Sequence, residues 1–177
     1  IPLTNNSDEN NLARIKKIVK KYNPEKLVIL GDLFHSKYAI DKNLQKKVED
    51  LPELLKTNIE LILGNHDVGC DIKNLKIFNI RKTKNLSFSH EPVNSKDNKT
   101  LNICGHYHPK IYLKNNGDKL SFRCFAMDMK KNILYLPAFG DLTGGYPCKK
   151  SFKKWAILSE NEILEIWIIS NFYFKDN

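Results

Sequence analysis

The stretch Lys26-Leu27-Val28-Ile29-Leu30-Gly31-Asp32 is a short, nearly all-apolar run that stops at a glycine followed by a carboxylate. Such a run is typical of a strand buried on both faces, as the strands of a parallel sheet are. A second run, Glu60 to Leu63, stops in the same way at Gly64-Asn65-His66-Asp67. Between the two, residues 41–56 read as helical, with Pro52 able to start a new turn inside them. Upstream, residues 8–22 repeat Leu12, Ile15, Val19 and Tyr22 near helical spacing; Ser7 or Asp8 can cap the start, and Pro24 stops the helix. Strand, helix and strand in this order imply a parallel α/β unit.

Beyond residue 75 the pattern turns to strands: residues 76–80, 86–89, 101–104, 110–113, 119–127, 133–138, 155–158 and 163–170. Asn115-Asn116-Gly117-Asp118 is a hairpin turn between two of them. An α/β first part and a mostly β second part fit one two-sheet sandwich flanked by helices. The chain has 177 residues, 41% hydrophobic and 28% charged, so residues 1–177 are expected to form a single folded domain. The longest apolar stretch, Ile163 to Ile169, is broken by Glu165 and is too short to span a bilayer as a helix. Ile1-Pro2-Leu3-Thr4 is followed by polar residues and does not read as a secretory signal.

The formal charge is +9, which draws polyanions and nucleic acid above all. Codon bias in an AT-rich genome gives the same excess of Lys, Asn and Ile. Only Arg14, Arg81 and Arg123 are Arg, whereas nucleic-acid sites favour the Arg fork. Lys37, Lys73, Arg81 and Lys110 are the candidate phosphate contacts, because they follow strands that end near the motifs below. Cys70, Cys104, Cys124 and Cys148 form no CxxC pair and are too few for a disulfide scaffold; a reducing, cytoplasmic setting is expected.

Four short motifs fall at strand ends: Gly31-Asp32-Leu33-Phe34-His35, Gly64-Asn65-His66-Asp67, Ser89-His90-Glu91-Pro92 and Gly105-His106-Tyr107-His108-Pro109. In α/β sheets, ligands bind outside the carboxyl ends of the strands. All five histidines of the chain lie in these motifs. A single histidine is more often a surface or core residue than a ligand, but five of five at strand ends is hard to assign to chance. Pooled imidazole, carboxylate and amide oxygen suit Mn, Fe or Zn better than Ca or Mg. Asp67 reads as structural, orienting His66 or capping a helix.

Gly-Asp, Gly-Asn-His-Asp, His and Gly-His-x-His in this order resemble the calcineurin-like metallophosphoesterase family. Ile1-Pro2-Leu3, Leu27 to Ser36, Ser89-His90-Glu91-Pro92, and Leu136 to Gly140 with Thr143-Gly144-Gly145 resemble its DNA ligase-associated branch. The resemblance implies a two-sheet αββα sandwich and two divalent ions, manganese foremost. It also implies a nuclease or phosphodiesterase of DNA repair, with DNA as substrate and a DNA ligase and a DEXH-box helicase as partners. Position by position, Asp32 would bridge the two metals, Asn65, His90 and His106 would complete one shell, and His108 would bind the other ion. His66 would be catalytic, giving a proton or positive charge to the leaving oxygen. His35 would lie beside the site as a substrate or outer contact, and Glu91 would orient His90.

The family opens with Asp-x-His on its first strand, and no Asp-x-His occurs in this sequence. The domain is therefore expected to be amino-terminally incomplete, with the first strand missing and one well-coordinated ion at most. Residues 138–146 are Gly-rich and read equally as a phosphate-approaching loop or as a tight turn. Two other readings stand beside the nuclease: a small-molecule or nucleotide phosphoesterase, and a non-catalytic scaffold for the ligase and helicase pair.

Overall fold

The computed structural model describes residues 5–34, 42–69, 72–94, 99–115, 118–140, 143–159 and 162–165. Residues 1–3, His35, Lys37, Cys70, Asn116, Gly117, Asp141, Trp167 and the strand expected beyond Glu165 lie outside them. Helix α1 spans Asn5–Tyr22. It starts ahead of the capping position expected at Ser7 or Asp8, because no Gly or Pro in residues 5–7 stops it. It ends as the sequence implies: Asn23 takes a left-handed backbone, its N–H bonds the Val19 carbonyl at 2.8 Å, and Pro24 follows. The second helical region divides into α2 (Lys42–Glu49) and α3 (Leu51–Leu55), with Pro52 in the first turn of α3.

Strands β1 (Lys26–Ile29), β2 (Asn58–Ile62) and β3 (Lys76–Phe78) form a parallel three-stranded sheet in that order. Leu27, Ile29 and Ile59 pack with Ile15 and Val19 of α1 and Leu55 of α3, while Leu61 meets Val48 of α2. The opposite face of β2 carries Glu60 and Ile62, both buried. Glu60 is held by Lys26 at 2.6 Å and by the guanidinium of Arg81. Arg81, one of the candidate phosphate contacts, thus has its Nε paired with a buried carboxylate.

Residues 76–80, expected as one strand, are two. β3 stops at Phe78, and β4 (Ile80–Lys82) begins the second sheet. The chain crosses here because the Phe78 carbonyl still accepts from Leu63, whereas Ile80 already pairs with Ser89. The second sheet holds the remaining described strands: β5 (Leu86–Ser89), β6 (Leu101–Cys104), β7 (Pro109–Asn115), β8 (Asp118–Asp128), β9 (Ile133–Tyr135), β10 (Tyr146–Pro147), β11 (Lys153–Ser159) and β12 (Glu162–Glu165). β5 and β6 run parallel, as do β6 and β9. β7 and β8 form the expected hairpin, with Asn115 opposite Asp118. β9 ends before Pro137, which has no N–H to continue the ladder. Cys104, Ala126, Ile133, Tyr135 and Phe152 form one core of this sheet; Ile111, Cys124 and Ala156 form another. Among the described residues, no helix is long and apolar enough to cross a membrane.

Candidate metal centre

The four motifs meet at the carboxyl ends of parallel strands from both sheets. Asp32 follows β1, Asn65 and His66 follow β2, His90 follows β5, and His106 and His108 follow β6. Close approach requires small residues at the crossing points. A Cβ on Gly31 would collide with the His90 ring and the Gly64 backbone, and one on Gly64 would strike Asp32. Three candidate ligands sit in left-handed backbone, with φ 52° at Asp32, 57° at His106 and 46° at His108. Non-glycine residues held there carry strain, which concentrates at functional sites.

Asp32, His90 and His106 offer ligand atoms within 4.8 Å of one another. His90 Nε2 lies 3.3 Å from Asp32 Oδ2, 3.1 Å from Asn65 Oδ1 and 3.0 Å from His106 Nδ1. The other nitrogen, Nδ1, lies 2.8 Å from the Leu30 carbonyl, which can only accept. Nδ1 is therefore the donor, and Nε2 of neutral His90 presents a lone pair. A carboxylate oxygen, an amide oxygen and an imidazole nitrogen surround that lone pair, and such a group of acceptors requires a shared proton or a cation. The residues therefore fit a divalent metal, and the donor set suits a borderline ion.

Burial works to raise the Asp32 carboxyl, but the His90 ring, the His66 N–H and nearby positive charge outweigh it and hold its pKa below the ordinary value. For His90, burial works downward; bonds to Asp32 and Leu30 outweigh it, so the ring holds a proton more readily than an ordinary histidine when no cation is bound. His108 stands outside the close group. Burial and the charges of His106, His90 and Arg123 push its pKa down despite Asp32, leaving a neutral imidazole able to ligate.

His66 has an exposed side chain, and its N–H donates to Asp32 Oδ1 at 3.1 Å. Asp67 is fully buried and ties two loops together, accepting from Gly64 N at 2.9 Å and Phe34 N at 3.2 Å. It neither starts a helix nor needs the His66 ring for its bonds. The orienting role expected of Glu91 falls to the Leu30 carbonyl. The Glu91 side chain is exposed, and its own carbonyl accepts from Ser89 Oγ at 2.6 Å. In the Gly-rich segment, Arg123 binds the carbonyls of Ala138, Phe139 and Gly140, and Thr143 N–H closes a turn onto Gly140. Residues 138–140 thus follow the tight-turn reading.

Sequence reasoning missed Asn102. This buried amide donates to Ser87 O, Ser87 Oγ and Ser89 Oγ, and its oxygen accepts from Val93 N at 2.9 Å. It ties together both ends of the turn that presents His90. Asn102→Leu should lower the melting temperature, since each buried group left unpaired costs roughly 1–3 kcal/mol. It should also weaken divalent-metal binding by about 10-fold, as the loss of outer partners of ligands does. Calorimetric titration checks this; unchanged affinity would leave Asn102 a purely structural group.

A convergent acceptor set at the strand ends of a two-sheet α/β fold defines a candidate metal-binding protein. The calcineurin-like phosphoesterase profile matches residues 5–160, and the chain belongs to that family. It is a phosphoesterase, and the family implies divalent metal at this site. Among solved structures, it is similar to the crystal structure of Pseudomonas putida nuclease MPE, with 27% identity and a TM-score of 0.75. The match covers 88% of this chain and 78% of that one. No curated protein matches.

Proposed function

We propose that this phosphoesterase is a nuclease: it hydrolyses phosphodiester bonds in nucleic acid, DNA first, using two divalent ions of which manganese is the leading candidate. The observation that carries the reading is the likeness to a nuclease over 88% of the chain. The +9 charge supports it, since a polyanionic substrate is drawn to such a surface. The DNA-repair setting, the cytoplasmic location and the ligase and helicase partners belong to the same proposal and rest on the motif resemblance.

Asp32, Asn65, His90 and His106 would hold one ion, and His108 with Asp32 would contribute to the second. Bound divalent ions supply Lewis acidity toward the phosphate and lower the pKa of water. The Leu30 carbonyl fixes the His90 tautomer, so that its lone pair is aimed inward. The His66 N–H holds Asp32 Oδ1 in place. The exposed His66 ring supplies a proton, or positive charge, to the leaving oxygen.

The test offers the manganese-loaded protein a single-stranded DNA oligonucleotide, and separately a nucleotide monophosphate. Oligonucleotide cleavage is expected, with affinity falling by about 0.7 log units per log unit of salt for each phosphate contact. Hydrolysis of the monoester alone would assign the protein to small-molecule phosphoesterases. Metal binding with no hydrolysis of either would favour the scaffold.

A further inference from the structure

Tyr146 takes no part in the centre described above, yet it stands beside it. Its N–H donates to the His108 carbonyl at 3.1 Å, and it pairs with Pro109 across β10 and β7. The residue is 63% exposed. One face of its ring stacks on Tyr107 at 6.0 Å between centroids and 27° between planes. Tyr107 in turn meets Tyr135 at 5.5 Å, and Tyr135 stacks on buried Phe152 at 5.4 Å. Four rings thus form a ladder that starts in the core of the second sheet and ends in solvent. The Tyr107 hydroxyl donates to the Pro147 carbonyl at 2.5 Å, which fixes the short strand carrying Tyr146.

Among the described residues, the other exposed aromatics differ. Phe139 has the Arg14 guanidinium over its ring at 4.4 Å, and Tyr22 lies at the far end of α1 under Lys21. With one face on Tyr107 and most of the residue exposed, Tyr146 leaves its second face to solvent, and its backbone adjoins that of the candidate ligand His108. A ring held rigidly in this way binds another flat ring with little loss of conformational freedom.

We propose that Tyr146 is a stacking platform for a base flanking the scissile phosphate, and so determines specificity for base-bearing nucleic acid. The inference rests on the nuclease reading. Stacking accepts any base, because every base has a π-face, so the platform confers preference for single strands without sequence selection.

The test compares the manganese-loaded wild type with Tyr146→Ala and Tyr146→Trp on two single-stranded oligomers, one of DNA and one of the same length built from abasic sugar-phosphates. Tyr146→Ala is expected to raise KM for DNA by about 5- to 150-fold, the span set by loss of one base stack, with kcat little changed. On the abasic oligomer all three proteins should agree, and Tyr146→Trp should restore wild-type KM on DNA. Equal KM for wild type and Tyr146→Ala on DNA would overturn the platform. So would an equal loss on both oligomers, because that loss belongs to the fold. If the wild type cuts neither oligomer, the nuclease reading itself falls and the platform with it; cleavage with no effect of the variants condemns the platform alone.

Discussion

Asp32→Asn is expected to abolish phosphoester hydrolysis, lowering turnover by more than the 10–100-fold that changes in outer partners typically cause. The carboxylate has two tasks. Its Oδ2 belongs to the acceptor group around His90 Nε2, and its Oδ1 accepts the His66 N–H. An amide keeps the shape but removes the negative charge that offsets a divalent ion, so metal content and activity should fall together. Elemental analysis beside a rate assay checks this. Full metal content with full activity would place the cation elsewhere.

His66→Asn should separate the two quantities. The ring is exposed and stands outside the close ligand group, so the variant should keep its fold and its metal. Turnover should nevertheless fall by roughly 10²–10⁴-fold, the contribution of a positioned proton donor. Parallel loss of metal and activity would make His66 a ligand.

Strands β1, β5 and β6 were legible in the sequence to within a residue, because each is a short run closed by a turn-forming Gly or motif. So were the strand-end motifs, since all five histidines fall in them. The division of residues 76–82 was not legible. Lys76 to Ile80 keeps strand character throughout, and only the pairing partners of Phe78 and Ile80 show that the chain changes sheets. Asn102 was hidden for a related reason: a polar residue inside a four-residue strand looks solvent-facing until three neighbouring hydrogen-bond partners are seen to bury it.

The arginines carried a signal that charge counting obscured. In a chain where almost every base is Lys, Arg stands where a fixed fork is needed: Arg81 on buried Glu60, Arg14 on the Phe139 carbonyl, and Arg123 on three successive carbonyls. Read as scarce residues in a Lys-rich background, they point to these structural contacts. The orientation of His90 had no sequence signal at all, because the Leu30 carbonyl that fixes it is a backbone group 60 residues away.

The most direct test of the central claim is a manganese titration of chelator-stripped protein, wild type and His90→Ala, with phosphodiester hydrolysis followed at each addition. For the wild type, the predicted result is no hydrolysis after stripping and full recovery as manganese binds. For His90→Ala, the predicted result is weak binding and little recovery at any concentration that saturates the wild type. Hydrolysis that survives stripping, or recovery of His90→Ala along the wild-type curve, would contradict a catalytic metal centre built on Asp32, Asn65, His90 and His106.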